Sequence, residues 1–542
     1  MFLTVALFND SFNRFKQLLD LSKAFGYCLF HEIHVYLQCL YLKPINIHLK
    51  AFAMTKETEQ NVMTGHLDKK KLLWALITTL VTLIIWNLPG ACFGIAGLTV
   101  VQQRVVAIFV MAVMLWITEA IPAWATSITI IFVLLFCVSD SSFNFLQGNE
   151  GQYGQLLDYV GVMACFADPT IILFLGGFIL AIAATKSGLD VWMAKTLIKP
   201  FGKKSENVLL GFLLITGVFS MFISNTATAA MMLTFLTPVF KALPANGKGR
   251  IALTMSIPIG ANLGGMGTPI GTPPNAFAYK VLNDPAGLNM QISFGQWMMI
   301  MAPLVLVLLL LAWVILKKFF PFKQKTIELN IDGDVSHNWR TVVVGVTFLV
   351  TILLWILGKY VGVNSNTVAM LPIAVFAITG VITAKDLQKI DWGVIWMVAG
   401  GFALGLALNG TGLAKTAIQS IPFGEWSPIV ILIIAGLVCY FLSNFISNTA
   451  TAALMIPILT VVCEGMGDKL NMIGGTSTML IGIAVAASAA MTLPISTPPN
   501  AIAYSTGLID QKDMAKAGIV VGFLTLIIGF SLLIVVGKTG IF

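Results

Sequence analysis

Long apolar runs, separated by short polar stretches, dominate the pattern of the chain from about residue 72 to its end. Crossing the hydrocarbon core of a bilayer takes roughly 17–25 mostly apolar residues in a helix. Four runs of about that length contain no charged residue: residues 72–88, 298–316, 341–357 and 520–536. The pattern therefore predicts an all-α polytopic membrane protein.

Composition agrees with this class. Of the 542 residues, 57% are hydrophobic and only 10% are charged, whereas soluble domains have roughly 25% charged residues. The net charge of +8 comes from lysines in short loops between apolar runs. Such placement indicates membrane topology and not nucleic-acid binding, so no nucleic-acid partner is expected.

The basic residues also set the predicted orientation, because cytoplasmic loops are enriched in Lys and Arg. An arrangement of about eleven spans, with a cytoplasmic N-terminus and the C-terminus outside, puts 20 of the Lys and Arg residues from Lys69 onward in inside loops and 6 outside. This arrangement requires residues 208–240 and 428–462 to be re-entrant hairpins. The first opens to the inside and the second to the outside.

Three sequence blocks occur twice, in one order and at offsets of 223–225 residues. The pairs are LGGFILAIAATKSGL from Leu175 with AGGFALGLALNGTGL from Ala399, SNTATAA from Ser224 and from Ser447, and GTPPNAFAY from Gly271 with STPPNAIAY from Ser496. The predicted topologies of the two copies are opposite. An inverted repeat of this kind indicates a transporter whose site lies near the bilayer midplane.

The repeat defines the predicted domains. Residues 1–71 form a cytoplasmic extension, of which 1–53 are interpreted as a start-site artefact or a dispensable segment, since Met54 and Met63 offer later starts. Residues 72–320 form the first half-repeat and 341–542 the second. A cytoplasmic linker, 321–340, joins them.

Each half contains two predicted interruptions of helix, the Ser-Asn-Thr tip and the Thr-Pro-Pro-Asn segment, since Pro-Pro and glycine break helices. Freed carbonyls and Ser, Thr and Asn oxygens suit a dehydrated cation, whereas half-helix N-termini suit an anion. Neither block contains Lys, Arg, Asp, Glu or His. A bound Na⁺ can therefore neutralise an anion there, and a titratable group for proton coupling is missing from the blocks.

The doubled blocks and WITEAIPAWATS, from Trp116, resemble the divalent anion/sodium symporter family, in particular its bacterial Na⁺/dicarboxylate symporters. The resemblance covers about residue 72 to the C-terminus. It implies Na⁺-coupled uptake of C4-dicarboxylates such as succinate, fumarate and malate across the bacterial inner membrane. It also implies a homodimer of eleven-span protomers that works by an elevator-type mechanism.

The same resemblance implies the site residues. The first Na⁺ site would comprise Ser220, Ser224, Asn225 and Gly271, and the second Ser443, Ile446, Asn448 and Ser496. The dicarboxylate would meet Asn225, Thr226, Thr272 and Pro273 from one half, and Asn448, Thr449, Thr497 and Pro498 from the other. Relatives often have alanine where this chain has Ile446 and Ser496.

Other functions remain open at this stage. The same fold could exchange dicarboxylates or citrate without Na⁺, or carry citrate or sulfate with Na⁺. An intramembrane enzyme is not expected, because the histidines lie in loops or in the N-terminal extension and no nucleophile or metal motif occurs in the spans. Asp168 and Asp391, which each precede a span, are interpreted as helix N-terminal charges, and Glu119 as a helix-end residue.

Overall fold

Helices make up nearly all regular structure in the part of the chain that the structure describes. This computed structural model describes residues 69–540 except 96, 149–152, 242, 245–246, 286, 328–337 and 421–424. The predicted segment 1–53 and most of the extension 1–71 lie outside the described residues. So does half of the predicted linker 321–340.

The first half of the chain contains eleven described α-helices. They are α1 (Lys69–Asn87), α2 (Val100–Thr118), α3 (Ala123–Cys137), α4 (Tyr159–Ala164), α5 (Pro169–Ser187), α6 (Leu189–Ile198), α7 (Ser205–Ser220), α8 (Asn225–Lys241), α9 (Lys248–Gly265), α10 (Pro273–Asn283) and α11 (Phe294–Phe319).

The second half contains the same number among its described residues. They are α12 (Trp339–Val361), α13 (Ser365–Val368), α14 (Met370–Ile378), α15 (Ala384–Leu387), α16 (Trp392–Gly410), α17 (Leu413–Ser420), α18 (Pro428–Phe445), α19 (Asn448–Met466), α20 (Thr476–Ser488), α21 (Pro498–Ser505) and α22 (Gln511–Gly537).

Many of these helices are suited to a bilayer. Within the described ranges, nine helical segments are long and apolar enough to cross a membrane, and four shorter apolar helices accompany them. The predicted all-α membrane fold is confirmed. The number of eleven spans and the re-entrant nature of the hairpins stay predictions, because length and composition do not place the helices in a bilayer.

Both predicted helix breaks are present. Helix α9 ends at Gly265 and α10 begins at Pro273, while α20 ends at Ser488 and α21 begins at Pro498. A proline at the first helical position is favourable, since its φ angle suits a helix and the missing N–H would have no helical partner there. The Pro-Pro pairs therefore restart the helices as half-helices.

The predicted helix-end charges are also in place. The Asp168 carboxylate accepts a hydrogen bond from the Thr170 N–H at 2.8 Å, and Asp391 accepts one from Val394 at 3.2 Å, so both cap helix N-termini. Glu119 ends α2 in the left-handed conformation, with φ 48° and ψ 33°.

The helices pack as two groups. We call α1–α5 with α12–α16 the framework group, and α7–α11 with α18–α22 the site group. Helix α16 packs against α10 and α19, and α12 packs against α11. These contacts form the seam between the groups. Because each group contains helices from both halves of the sequence, the repeat is interleaved in space.

Candidate transport site

The first Ser-Asn-Thr tip joins α7 to α8. The Ser224 hydroxyl accepts a hydrogen bond from the Ala227 N–H at 3.3 Å, which is the contact of a helix N-cap. The chain reverses over residues 221–224, so the end of α7 lies beside the start of α8. This reversal brings Ser220 next to Asn225.

Four oxygen-bearing groups meet at the first tip. One terminal atom of the Asn225 amide lies 2.5 Å from the Ser220 hydroxyl, 3.0 Å from the Gly271 carbonyl oxygen and 3.3 Å from the Ala261 carbonyl oxygen. If this atom is nitrogen, it donates to its neighbours. If it is oxygen, the cluster consists of four neutral oxygens, and no N–H or O–H lies between the amide oxygen and the two carbonyl oxygens. Hard cations take such oxygen ligands, so the orientation of this one amide decides whether the cluster is closed by hydrogen bonds or presents four oxygens to a cation.

Glycine is needed around this cluster. A Cβ at Gly265 would lie 2.7 Å from the Asn225 Oδ1 position and 2.9 Å from the Gly271 carbonyl oxygen, while a Cβ at Gly271 would lie 2.4 Å from the Gly265 carbonyl oxygen. Both contacts are too close for a side chain. The two glycines thus let the broken segment of the first half approach the tip.

The second tip repeats the arrangement. The buried Ser443 hydroxyl lies 2.7 Å from Asn448 Oδ1 and 2.8 Å from the Ala487 carbonyl oxygen. Ser447 caps α19 by accepting from the Ala450 N–H at 3.2 Å. In both halves, a serine at the end of the first arm therefore meets the asparagine that begins the second.

Ser496 has a different environment from its predicted partners. Its hydroxyl lies 3.0 Å from the Asn444 carbonyl oxygen and accepts from the Leu493 N–H at 3.0 Å. The Asn444 side chain accepts from the Thr492 N–H at 2.9 Å. Ser496 and Asn444 thus hold the broken segment against the second tip. The Asn448 side chain instead contacts Ser443.

The remaining predicted ligands lie at the ends of helices that meet at the tips. Ile446 ends α18 with a buried side chain, and its N–H donates to Leu442 at 3.0 Å. Ser224 caps α8. The structure therefore unites Ser220, Asn225 and Gly271 at one tip and Ser443 with Asn448 at the other.

Two asparagines anchor the broken segments. Asn275 donates to the carbonyl oxygens of Gly265, Met266 and Thr268 at 2.8–3.2 Å. Asn500, its repeat equivalent, donates to Met491 and Leu493 at 2.9 and 3.0 Å. These amides donate to carbonyls that have lost their helical partners at the breaks. The asparagine of each TPPN motif therefore fixes the shape of its loop. The duplicated motifs alone did not predict this role for the two asparagines.

The predicted dicarboxylate residues occupy unequal environments. Thr272 and Thr497 are buried just before half-helices α10 and α21, and Thr449 is buried as well. Thr226 and Pro498 are exposed, and Asn225, Asn448 and Pro273 are half-buried.

Helices of each repeat pack against half-helices of the other repeat near the site. Helix α8, which begins at Asn225, packs against α21, and α19, which begins at Asn448, packs against α10. The helix that follows each tip therefore packs against the half-helix of the other repeat. N-termini of helices carry unpaired N–H groups and a positive dipole end, which favours an anion. Among the described residues no cluster of three or more His, Cys, Asp or Glu side chains forms.

This fold and site define a membrane transport protein built from two copies of one unit, with neutral oxygen groups at its broken helices. The citrate transporter family model, CitMHS, matches residues 113–475. The chain is 31% identical over 462 residues to the sodium-dependent dicarboxylate transporter SdcS of Staphylococcus saprophyticus, covering 78% of this chain and 84% of the relative. It is 32% identical over the same length and coverage to SdcS of Staphylococcus aureus (strain USA300).

The chain therefore belongs to the citrate transporter family, and its resemblance to the divalent anion/sodium symporters is confirmed. Its fold is also similar to the crystal structure of the Alcanivorax borkumensis YdaH transporter, at a TM-score of 0.51 and 12% identity, covering 77% of this chain and 98% of that one. The prediction of a transporter and not an enzyme is confirmed by these relatives.

Proposed function

We propose that the protein is a secondary active transporter that couples Na⁺ to the uptake of C4-dicarboxylates such as succinate, fumarate and malate. The observation that carries this proposal is the pair of equivalent tips, Ser220 with Asn225 and Ser443 with Asn448, in a chain whose relatives are named sodium-dependent dicarboxylate transporters. At least two Na⁺ ions travel with each anion, one at each tip.

The first Na⁺ takes the position among Ser220, Asn225, the Gly271 carbonyl and the Ala261 carbonyl. When the Asn225 side-chain oxygen faces Ser220, all four groups offer neutral oxygen ligands, and such ligands do not need a titratable side chain. Ser224 supports the site as a cap and through its position in the turn.

The second Na⁺ takes the equivalent position at Ser443 and Asn448, with backbone oxygen from Ile446. Ser496 contributes by holding the broken segment through Asn444. The Ala487 carbonyl, 2.8 Å from the Ser443 hydroxyl, is an additional oxygen near this ion.

The dicarboxylate binds between the two ions. One carboxylate meets Asn225, Thr226 and Thr272, and the other meets Asn448, Thr449 and Thr497, with Pro273 and Pro498 shaping the loops. Half-helix N-termini and two cations stabilise the two negative charges, which links anion binding to Na⁺ binding.

Transport follows an elevator mechanism in which the site group moves against the framework group. The seam between the groups supports this proposal, because the moving body would carry both tips and both broken helices together. Inverted copies can exchange conformations, which gives access to either side. We further propose a homodimer in the bacterial inner membrane, with the N-terminus cytoplasmic and the C-terminus outside, as the charge pattern and the resemblance imply.

Uptake of succinate into proteoliposomes tests the proposal. An inward Na⁺ gradient should drive accumulation, while a matched K⁺ gradient should not. Competition by citrate and sulfate then ranks the alternative substrates. Uptake that requires counter-loaded dicarboxylate and ignores Na⁺ would refute symport and identify an exchanger.

A further inference from the structure

A buried amide of the first repeat reaches into the broken segment of the second. Asn262, on α9, is 1% exposed. Its side-chain nitrogen lies 3.1 Å from the Thr497 hydroxyl and 3.2 Å from the Asn500 side-chain oxygen. These contacts join residues separated by 235 and 238 positions. They therefore tie the two halves together at the proposed site.

The direction of these hydrogen bonds is fixed by Asn500. Its nitrogen donates to the Met491 and Leu493 carbonyl oxygens, which can only accept. Its oxygen must therefore face Asn262, so Asn262 must present its nitrogen. Both donor hydrogens of the Asn262 amide are then used, one on Asn500 and one on Thr497.

Thr497 consequently acts as an acceptor toward the protein. Its hydroxyl oxygen accepts from Asn262 and also from the Asn500 backbone N–H at 3.3 Å. A hydroxyl has one proton and two acceptor positions. With both acceptor positions occupied, the proton is directed away from Asn262 and Asn500, where a carboxylate can accept it.

Asn262 makes these bonds at a cost. Its own side-chain oxygen is buried without a hydrogen-bond partner in the described structure, and such a group is unfavourable in a protein interior. The repeat equivalent of Asn262 is Ala487, which has no side-chain donor, and the Thr272 hydroxyl makes no capping hydrogen bond. A side-chain amide that donates to the threonine hydroxyl is therefore found at Thr497 and not at Thr272.

We propose that Asn262 is a positioning residue that turns the Thr497 hydroxyl into a donor for one carboxylate of the transported anion. This inference rests on the proposed function. It also makes the two threonines unequal, since only Thr497 is oriented before the anion arrives.

Transport kinetics of four variants test the inference in proteoliposomes driven by a Na⁺ gradient, with succinate as the probe. Asn262→Ala should raise the succinate KM by roughly 5- to 20-fold, because one hydrogen bond to a charged group is weakened. Thr497→Val should raise it at least as much. The double variant should match Thr497→Val, since Asn262 acts through that hydroxyl. Half-saturation by Na⁺, measured at saturating succinate, and Vmax should change less than about 2-fold, because neither the Asn262 nor the Thr497 side chain is among the proposed Na⁺ ligands.

Asn262→Asp is the sharpest variant, because it keeps the shape but replaces the donor with an acceptor. It should raise the succinate KM at least as much as Asn262→Ala. If the alanine variant does not fold, Asn262→Asp tests the inference in its place. Ser256→Ala is the matched control, because among the described residues the buried Ser256 hydroxyl on the same helix bonds only to the Leu253 carbonyl, at 2.7 Å.

The outcomes separate the two proposals. A wild type that takes up no dicarboxylate refutes the proposed function and this inference with it. A wild type that transports while Asn262→Ala and Asn262→Asp leave KM unchanged refutes the inference alone. Full additivity of Asn262→Ala and Thr497→Val also overturns it, because Asn262 would then act by another route.

Discussion

Asp168 and Lys280 form an ion pair across the seam between the two groups of helices, with 2.9 Å between the carboxylate and the ammonium nitrogen. Asp168 caps α5 of the framework group, and Lys280 lies in the last turn of α10 in the site group. The Asp168 side chain is 10% exposed and the Lys280 side chain 24% exposed. Two cavities, of about 580 and 420 Å³, both border this pair.

Lys280→Met should destabilise the protein by roughly 1–3 kcal/mol, because a nearly buried carboxylate loses its closest cation. Asp168→Asn in the same chain should recover part of the loss, since asparagine can still cap α5 without a charge. Thermal unfolding of the purified protein in detergent measures both effects. A Lys280→Met protein as stable as wild type would show that the pair contributes little, and a double variant no more stable than Lys280→Met would show that the unpaired carboxylate is not the cause of the loss.

The helix breaks and the two tips could be predicted from the sequence because their causes are local. Pro-Pro and glycine interrupt a helix wherever they occur, and the duplication of the SNT and TPPN blocks marked them as functional. Asn262 and Lys280 gave no such signal. Asn262 stands in the segment GANLGGMGTPI, just before the first Thr-Pro-Pro-Asn block, but its partners are more than 230 residues away. Lys280 was counted only as one of the six basic residues placed outside.

Differences between the repeats were also invisible to motif comparison. Asn444 organises the second broken segment, while its equivalent Met221 offers only a carbonyl, which accepts from the Thr268 hydroxyl. A repeat search emphasises shared residues, so a residue found in one copy alone is overlooked. Such residues depend on tertiary packing, which a single sequence does not reveal.

Gly264→Ala should prevent close packing of α7 and α9 beneath the first tip. A Cβ at Gly264 would lie 2.2 Å from the Gly217 carbonyl oxygen and 2.5 Å from its Cα. Backbone atoms cannot move aside as a flexible side chain can, so we expect a loss of about 3 kcal/mol or more, or failure to fold. Gly405→Ala on α16 is the control, because a Cβ there meets no atom within 4 Å. Yield and melting temperature should fall for the first variant only; a stable Gly264→Ala protein would contradict this packing.

Asp386 should stabilise the framework group in a pH-dependent way. The hydrogen bond from Lys186, at 2.5 Å, holds the pKa of Asp386 below its usual range, with further bonds from the Thr383 hydroxyl and N–H. A carboxyl whose pKa is lowered by folding contributes stability above its unfolded pKa of about 3.9 and loses it as pH falls through the folded value.

Asp386→Asn should therefore lower the melting temperature at pH 7, and the difference from wild type should shrink steadily below about pH 4. Lys389→Met is a useful comparison, because Lys389 also contacts Asp386, at 3.0 Å, but is largely exposed. Its removal should cost less than about 1 kcal/mol. A constant difference between Asp386→Asn and wild type from pH 7 to pH 3 would argue against the ion pair as the cause.

Asn225→Ala and Asn448→Ala should each abolish Na⁺-driven uptake while leaving the fold intact. Each change removes the amide that meets the serine at its tip, Ser220 at 2.5 Å or Ser443 at 2.7 Å. Both asparagines are only half-buried, so truncation leaves little empty space in the core, whereas a cation and an anion lose a shared ligand. We expect uptake to fall by roughly 100-fold or more. Thr234→Ala on α8 is the control, because in the part of the chain that the structure describes its exposed hydroxyl bonds only to the Ala230 carbonyl of the same helix. Uptake under a Na⁺ gradient, with size-exclusion chromatography to check folding, measures the effect. Normal uptake by either asparagine variant would remove that tip from the site, and the loss of uptake in only one would mean that a single tip carries the coupling.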